Sequence, residues 1–210
     1  MSSGGDSGGG RGKMISQRLA RQMKFISEIE KLKVVYRQNG IIDGSRRENS
    51  AEHSWHISIM ALILLEYCKE EIDQLKVIKM LLIHDLVEIF AGDTFLYDEK
   101  GRDTIKSIER EAAVKLFGIL PSDQKTELLE IWNEFELRET KEAKYAAVLD
   151  NLQPILNHYY TNNQNIKGKK VTKSQIIKKK EFIREFSEDV WEFAPTIIDE
   201  SVKMGLYIDE

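Results

Sequence analysis

The sequence predicts an all-α protein, built as a compact bundle of six to seven main helices. Apolar residues recur at helical spacing along most of its 210 residues, and strand-like alternation of polar and apolar residues is nearly absent. Only 3 prolines interrupt the pattern. Amphipathic helices joined by short connections favour a packed bundle.

The predicted helices have recognisable start and stop signals. An Asn-Gly pair and an Asp-Gly pair end the first helix, so 36–49 is predicted to be a loop. Ser50 is predicted to cap the second helix, and Asp73 to start the third, which ends at Ala91-Gly92. The last helix is predicted to bend at Pro195. The predicted helices span about 14–35, 50–68, 73–90, 103–117, 121–135, 141–161 and 172–199.

The domain organisation is predicted to be simple. Residues 1–13 are rich in Gly and Ser without an apolar stretch, which predicts a flexible tail and excludes a secretory signal peptide. The remaining residues, 14–210, are predicted to form a single domain, with a polar, basic linker at 162–170.

Composition predicts a water-soluble, cytoplasmic protein. Hydrophobic residues make up 41% of the chain and charged residues 31%, and the formal net charge is -4. No basic excess favours a nucleic-acid polymer as partner, and no apolar run is long enough to span a membrane. The lone cysteine, Cys68, excludes an internal disulfide and favours a reducing compartment.

The chemistry is predicted to centre on the His84-Asp85 pair. It follows the apolar stretch Met80-Leu81-Leu82-Ile83, so its carboxylate is expected to be buried. A buried carboxylate without a partner is costly, and a divalent cation is a sufficient partner. Two candidates could complete a metal site: His53, at the start of a helix, and Asp150, inside the apolar run 146–152. Two imidazoles and two carboxylates suit Mn, Fe, Co, Ni or Zn, with open positions for water.

His53, the His84-Asp85 pair and Asp150, in this order, resemble the H…HD…D signature of the HD-domain phosphohydrolases. In that family the signature lies on separate helices of an α bundle. The similarity runs from about Arg18 to Leu206 and is greater to the subgroup of 5′-deoxynucleotidases. The blocks that carry it are Leu32–Arg37, Arg47–Ser54 with its Glu-His-Ser, His84-Asp85-Leu86-Val87-Glu88, Gly92-Asp93 and Leu149-Asp150.

The resemblance implies a single HD-type metallohydrolase domain, a homodimer, and a role for each matching residue. Glu88 would assist the attacking water, Arg37 would contact the phosphate, and Asp93 would contact the sugar. Glu88 also follows Asp85 by three residues, which places both on one helix face. One divalent ion (Mn, Co, Fe, Ni, Zn or Mg) would be bound by His53, His84, Asp85 and Asp150.

One departure concerns the residues after Arg37. Family members commonly carry a Trp there, whereas this chain continues Gln38-Asn39-Gly40. The departure leaves the choice between ribo- and deoxynucleotides open, whereas the metal site is unaffected. Three further basic side chains are alternatives for the phosphate contact: Lys33, Arg46 and Arg47.

The function predicted from these residues is metal-dependent hydrolysis of nucleoside 5′-monophosphates to nucleoside and phosphate. Two alternatives remain: hydrolysis of another phosphate ester (a dinucleotide, a nucleoside triphosphate or a metabolite), and a non-catalytic metal- or nucleotide-binding module. His56 and His158 are predicted to be structural, and the charge run 167–180 to be a solvated loop and helix face.

Overall fold

The computed structural model describes residues 16–92, 102–162, 166 and 169–210. Helices dominate this part of the chain, with one small two-stranded sheet, so the predicted all-α class is confirmed. The predicted tail at 1–13 lies outside the described residues. The α-helices are α1 Gln17–Ile29, α2 Ser50–Ile63, α3 Gln74–Ile83, α4 Glu88–Ala91, α5 Arg102–Phe117, α6 Ser122–Leu137, α7 Lys141–Thr161, α8 Lys173–Lys180, α9 Ile183–Phe186 and α10 Glu188–Lys203, and 3₁₀ turns occupy Glu30–Val34, Leu64–Tyr67 and His84–Val87.

The loop predicted after the first helix is instead a β-hairpin. Strands β1 (Tyr36–Gly40) and β2 (Arg47–Asn49) pair antiparallel, with Tyr36 opposite Asn49 and an irregular register further along. The Asp-Gly pair belongs to the turn between them, where Gly44 has a φ of 70°, a conformation that glycine adopts without strain. Both strands are short and mostly polar, so no apolar alternation signalled them.

The hairpin leads directly into α2 through a capping box. The Asn49 side chain accepts from the backbone N–H of Glu52 at 2.9 Å, and the Glu52 carboxylate accepts from the backbone N–H of Asn49 at 3.1 Å. Asn49 is therefore the N-cap, and the prediction that Ser50 caps this helix is wrong by one residue. The helix begins at Ser50, and His53 is its fourth residue.

The predicted third helix changes its winding at the His84-Asp85 pair. Asp73 caps α3 as expected, but the chain tightens into a 3₁₀ turn over His84–Val87 before α4. A 3₁₀ turn has about three residues per turn, so Asp85 and Glu88 lie on the same side. The segment ends at Gly92, where φ is 80°.

The C-terminal region is not one long helix. The chain breaks at Ser187, whose backbone is extended and whose hydroxyl accepts from the N–H of Val190 to cap α10. Serine side chains compete for backbone groups in this way, which favours caps over helix interiors. The helix then continues through Pro195 to Lys203.

Helix α7 is the centre of the bundle. It packs against α2, α3, α6 and α10, and small residues such as Ala143, Ala146 and Ala147 allow close approach. Asp150 and Gln153 therefore project from a helix that is fixed on several sides. No helix of the described part is long and apolar enough to cross a lipid bilayer.

The charge run that was predicted to be solvated has one buried lysine among its described residues. Lys180 is 2% exposed, and its Nζ donates to Asn151 Oδ1 at 2.6 Å. Burial lowers the pKa of this lysine to about 7. The prediction was wrong at this position because α8 turns its last residue toward α7.

Candidate metal centre

Three of the predicted metal ligands converge from separate elements. His53 comes from α2, His84 from the 3₁₀ turn and Asp150 from α7, and one donor atom of each lies within 4.8 Å of the others. His53 Nε2 is 3.1 Å from Asp150 Oδ1, and His84 Nε2 is 3.7 Å from the same oxygen. Both imidazoles are buried, and the Asp150 side chain is partly open.

The hydrogen bonds of the two histidines leave both Nε2 atoms facing this group. His84 Nδ1 lies 2.9 Å from the carbonyl oxygen of Leu81, which can only accept, so Nδ1 donates. His53 Nδ1 lies 3.2 Å from Gln153 Oε1, also an acceptor. His84 Nε2 is buried without a hydrogen-bond partner. Within the described part of the chain, this buried nitrogen lies close to the carboxylates of Asp85 and Asp150.

A divalent metal ion fits this arrangement. Two imidazole nitrogens and a carboxylate oxygen at such distances require a cation among them, which can be a proton or a divalent metal ion. Imidazole and carboxylate are ordinary ligands of first-row divalent metals, and the partial exposure of Asp150 leaves access from solvent. The group thus has both the chemistry and the spacing of a metal centre.

Asp85, the fourth predicted ligand, lies beside this group. Its Oδ1 is 3.0 Å from His84 Nε2, and its Oδ2 accepts from Arg37 Nη1 at 2.9 Å. It is not among the three residues that approach one another within 4.8 Å. One carboxylate oxygen is directed at the centre and the other at the guanidinium, so its role as ligand stays a prediction.

The remaining predicted site residues are placed as follows. Arg37, on β1, is mostly buried and reaches the centre through Asp85. Glu88 Oε2 accepts from the hydroxyl of Ser50 at 2.5 Å, which joins α4 to the start of α2. Asp93 lies outside the described residues. Their roles in water activation and substrate binding stay predictions.

The two histidines of the centre differ in pKa. Burial lowers the pKa of His53 to about 4, so this imidazole is neutral. Burial also opposes charge on His84, but the carboxylates of Asp85 and Asp150 outweigh it and raise its pKa to about 9. Burial raises the pKa of Asp150, yet the two imidazoles beside its carboxylate bring that pKa well below its usual range. In the metal-free protein a proton on His84 balances the carboxylates.

Metal binding is therefore expected to release a proton. At about pH 7.5 a divalent ion must displace the proton of His84, so roughly one proton should leave, and affinity should rise about tenfold per pH unit below the raised pKa. Calorimetric titration of metal-free protein in buffers of different ionisation enthalpy measures this number. A pH-independent affinity between about pH 6.5 and 8.5 would contradict the assignment.

Two residues at the centre were not predicted from the sequence. Gln153 Nε2 donates to Glu48 Oε1 at 2.9 Å, and both side chains are buried next to His53. Gln153 lies three residues after Asp150, so helical spacing could have placed it on the same face. Glu48 belongs to the block before His53, and nothing in its spacing marked it out.

Comparisons with known proteins identify the family of this chain and several of its relatives. The sequence model of the HD domain family matches residues 29–191. The solved structure of a predicted metal-dependent phosphohydrolase from Magnetospirillum magnetotacticum is 45% identical, with a TM-score of 0.84, covering 91% of this chain and 99% of that one. An HD-domain phosphohydrolase from Listeria innocua shares the fold at 16% identity, with a TM-score of 0.57 over 88% of this chain and 83% of that one.

Among curated proteins, 5′-deoxynucleotidases match. The bovine 5′-deoxynucleotidase HDDC2 is 30% identical over 144 residues, covering 68% of this chain and 69% of the relative. Human 5′-deoxynucleotidase HDDC2 is 27% identical over 135 residues, covering 64% of this chain and 65% of the relative. The resemblance predicted from the motifs is confirmed: the chain belongs to the HD domain family, together with the phosphohydrolases that it resembles.

Proposed function

We propose that this protein is a metal-dependent phosphohydrolase that converts nucleoside 5′-monophosphates, including deoxynucleotides, into nucleoside and inorganic phosphate. The observation that carries the proposal is the guanidinium of Arg37 beside three converging metal-ligand side chains. The named activity of the bovine and human relatives supports nucleotides as the substrate class.

The residues that would hold the metal are His53, His84 and Asp150, with Asp85 as the proposed fourth ligand. When bound there, a divalent ion polarises a phosphoryl oxygen and lowers the pKa of a water ligand. Mixed nitrogen and oxygen donors suit Mn, Fe, Co, Ni and Zn, whereas Mg prefers oxygen alone. We expect a transition metal as the native ion.

The other side chains divide the remaining tasks. Arg37 presents a planar cation beside the metal ligands, which suits the charge of a phosphate monoester. Glu88 orients the attacking water or accepts its proton, and the hydroxyl of Ser50 holds its carboxylate in place. Asp93 is proposed to contact the sugar.

Arg37→Met is expected to weaken substrate binding without emptying the metal site. A charge-assisted hydrogen bond contributes about 1.5–3 kcal/mol, which corresponds to a KM about 10- to 100-fold higher. The inhibition constant of inorganic phosphate should rise by a similar factor. Arg18→Met is the matched control, because Arg18 is an exposed arginine that pairs with Asp123. Unchanged KM and phosphate inhibition in Arg37→Met would exclude this role.

The decisive experiment on the function is elemental analysis of purified protein, followed by phosphate-release assays with several added metals. The substrates should include ribo- and deoxynucleoside monophosphates, triphosphates and dinucleotides. Orthophosphate from monophosphates supports the proposal. Pyrophosphate or triphosphate as product would favour the alternative esters, and bound nucleotide without turnover would favour a binding module.

The assembly and setting are also proposals. We propose a cytoplasmic homodimer whose residues 14–210 form a single domain, without a nucleic-acid polymer or membrane as partner. Large apolar side chains exposed along α2 support an interface between copies: Trp55, Ile59, Leu62 and Ile63. Sedimentation or light scattering measures the oligomeric state directly.

A further inference from the structure

A buried chain of polar side chains lies directly behind the metal centre. Glu48, in the middle of β2, accepts from Gln153 Nε2 at 2.9 Å, and Gln153 Oε1 lies 3.2 Å from His53 Nδ1. Glu48 is 4% exposed, and both Gln153 and His53 are fully buried. Glu48 and Gln153 have no part in the proposed hydrolysis itself.

Neighbouring groups fix which way the Gln153 amide points. Its nitrogen faces the carboxylate of Glu48 and, at 3.4 Å, the Nδ1 of His56. When ionised, the Glu48 carboxylate can only accept, so a flipped amide would direct one oxygen at another. The carbonyl oxygen is therefore the atom that faces His53, and Glu48 determines this orientation.

The orientation of Gln153 decides which nitrogen of His53 carries the proton. A carbonyl oxygen can only accept, so His53 Nδ1 must be the donor and Nε2 retains its lone pair. That lone pair faces the metal-ligand group. In the other tautomer, Nε2–H would donate to Asp150 Oδ1 at 3.1 Å, and both atoms would be lost as metal ligands. The tautomer of His53 therefore decides whether His53 and Asp150 are available to a metal ion or hydrogen-bond to each other.

Different groups fix the tautomers of the two histidines. His84 Nδ1 is held by the backbone carbonyl of Leu81, which no side-chain substitution removes. His53 has a side-chain amide in the same position, and that amide depends on a carboxylate from another element. Partners of this kind orient metal-ligating histidines and tune their basicity.

We propose that Gln153, oriented by Glu48, is a positioning residue that holds His53 in its metal-binding tautomer. The inference deepens the proposed function and rests on its metal site. Neither side chain touches the substrate or the metal. Their effect is exerted through His53, so it should appear in metal affinity and in the imidazole spectrum before any nucleotide is added.

The experiment measures Co²⁺ affinity by calorimetry on the full metal-free chain, together with the ¹⁵N long-range couplings of its imidazoles. In Gln153→Leu, Kd should rise about 10- to 100-fold, and His53 should move from the Nδ1–H to the Nε2–H form. The exchange variant Glu48→Gln/Gln153→Glu keeps an acceptor toward His53 and a donor–acceptor pair between positions 48 and 153. It should restore both the affinity and the tautomer.

Asn157→Leu is the matched control. Asn157 is an amide one turn further along α7 that donates to the carbonyl of Gly40, and it touches no proposed ligand. Its removal takes a comparable hydrogen bond from the same helix, and it should leave Co²⁺ affinity within about twofold. If Gln153→Leu fails to fold, the exchange variant alone carries the test.

Parent-like affinity with an unchanged tautomer in Gln153→Leu would overturn the proposal. A folded exchange variant whose Kd for Co²⁺ is about 100-fold higher than that of the parent would overturn it as well. Failure of the proposed function is separable. A parent protein that binds Co²⁺, shows this pattern of variants and releases no phosphate from any nucleotide would retain the positioning role and lose the nucleotidase assignment.

Discussion

Replacing Asp85 with alanine is expected to remove bound metal and phosphate release together. The substitution deletes the oxygen 3.0 Å from His84 Nε2 and the acceptor of the Arg37 guanidinium. Metal assistance contributes several kcal/mol to such reactions, and about 4 kcal/mol corresponds to roughly 10³-fold in rate. We therefore expect kcat/KM to fall by about 10³-fold or more, with metal content measured on the same sample.

Two further variants separate chemistry from folding in this experiment. Asp85→Asn preserves the side-chain volume and removes only the charge, and it should lose most of the activity with a smaller change in melting temperature. Asp189→Ala, at an exposed position in the first turn of α10, is the matched control and should retain both metal and rate. Hydrolysis at the parental rate by Asp85→Ala would refute the proposed mechanism.

Glu88→Gln is expected to separate turnover from metal binding. Glu88 is not among the converging ligand atoms, and a glutamine oxygen can still accept from the Ser50 hydroxyl. The amide cannot take a proton from water, and a positioned base contributes about 10²- to 10⁴-fold. We expect kcat to fall by about that factor, while KM and the metal content stay close to the parent values.

Steady-state kinetics across pH check the assignment of Glu88. The acid limb of the kcat profile should disappear with the carboxylate, because that limb reports the protonation of the base. Glu130→Gln, on the exposed face of α6, is the matched control and should leave the profile unchanged. A Glu88→Gln enzyme with full kcat would assign the proton transfer to another group.

The helices were predictable wherever one face is continuously apolar. The bounds predicted for α7, 141–161, agree with those observed, because its buried stripe extends from end to end. The hairpin was missed because its strands are polar. The division at Ser187 was missed because apolar spacing continues on both sides of it, and only the competition between a hydroxyl and the backbone ends the helix.

The candidate site was predictable where residue type and order along the chain identify its members. The histidines and carboxylates stand out against apolar runs, and three of the four predicted ligands converge. Gln153 is an uncharged amide in a buried helix, and its importance depends on a histidine 100 residues away. The direction of an amide and the tautomer of an imidazole are properties of packing, which no spacing rule reveals.

The junction between β2 and α2 limits how this chain can change in length. Glu48, Ser50 and His53 lie before, within and after the capping box, and they contact Gln153, Glu88 and Asp150 on two other elements, α7 and α4. One residue inserted between Asn49 and His53 would rotate the rest of α2 by about 100° relative to β2 and separate these contacts. The hairpin turn at 41–46 has no such restriction. Insertions and deletions are therefore accommodated at the turn, while the spacing from Glu48 to His53 is fixed.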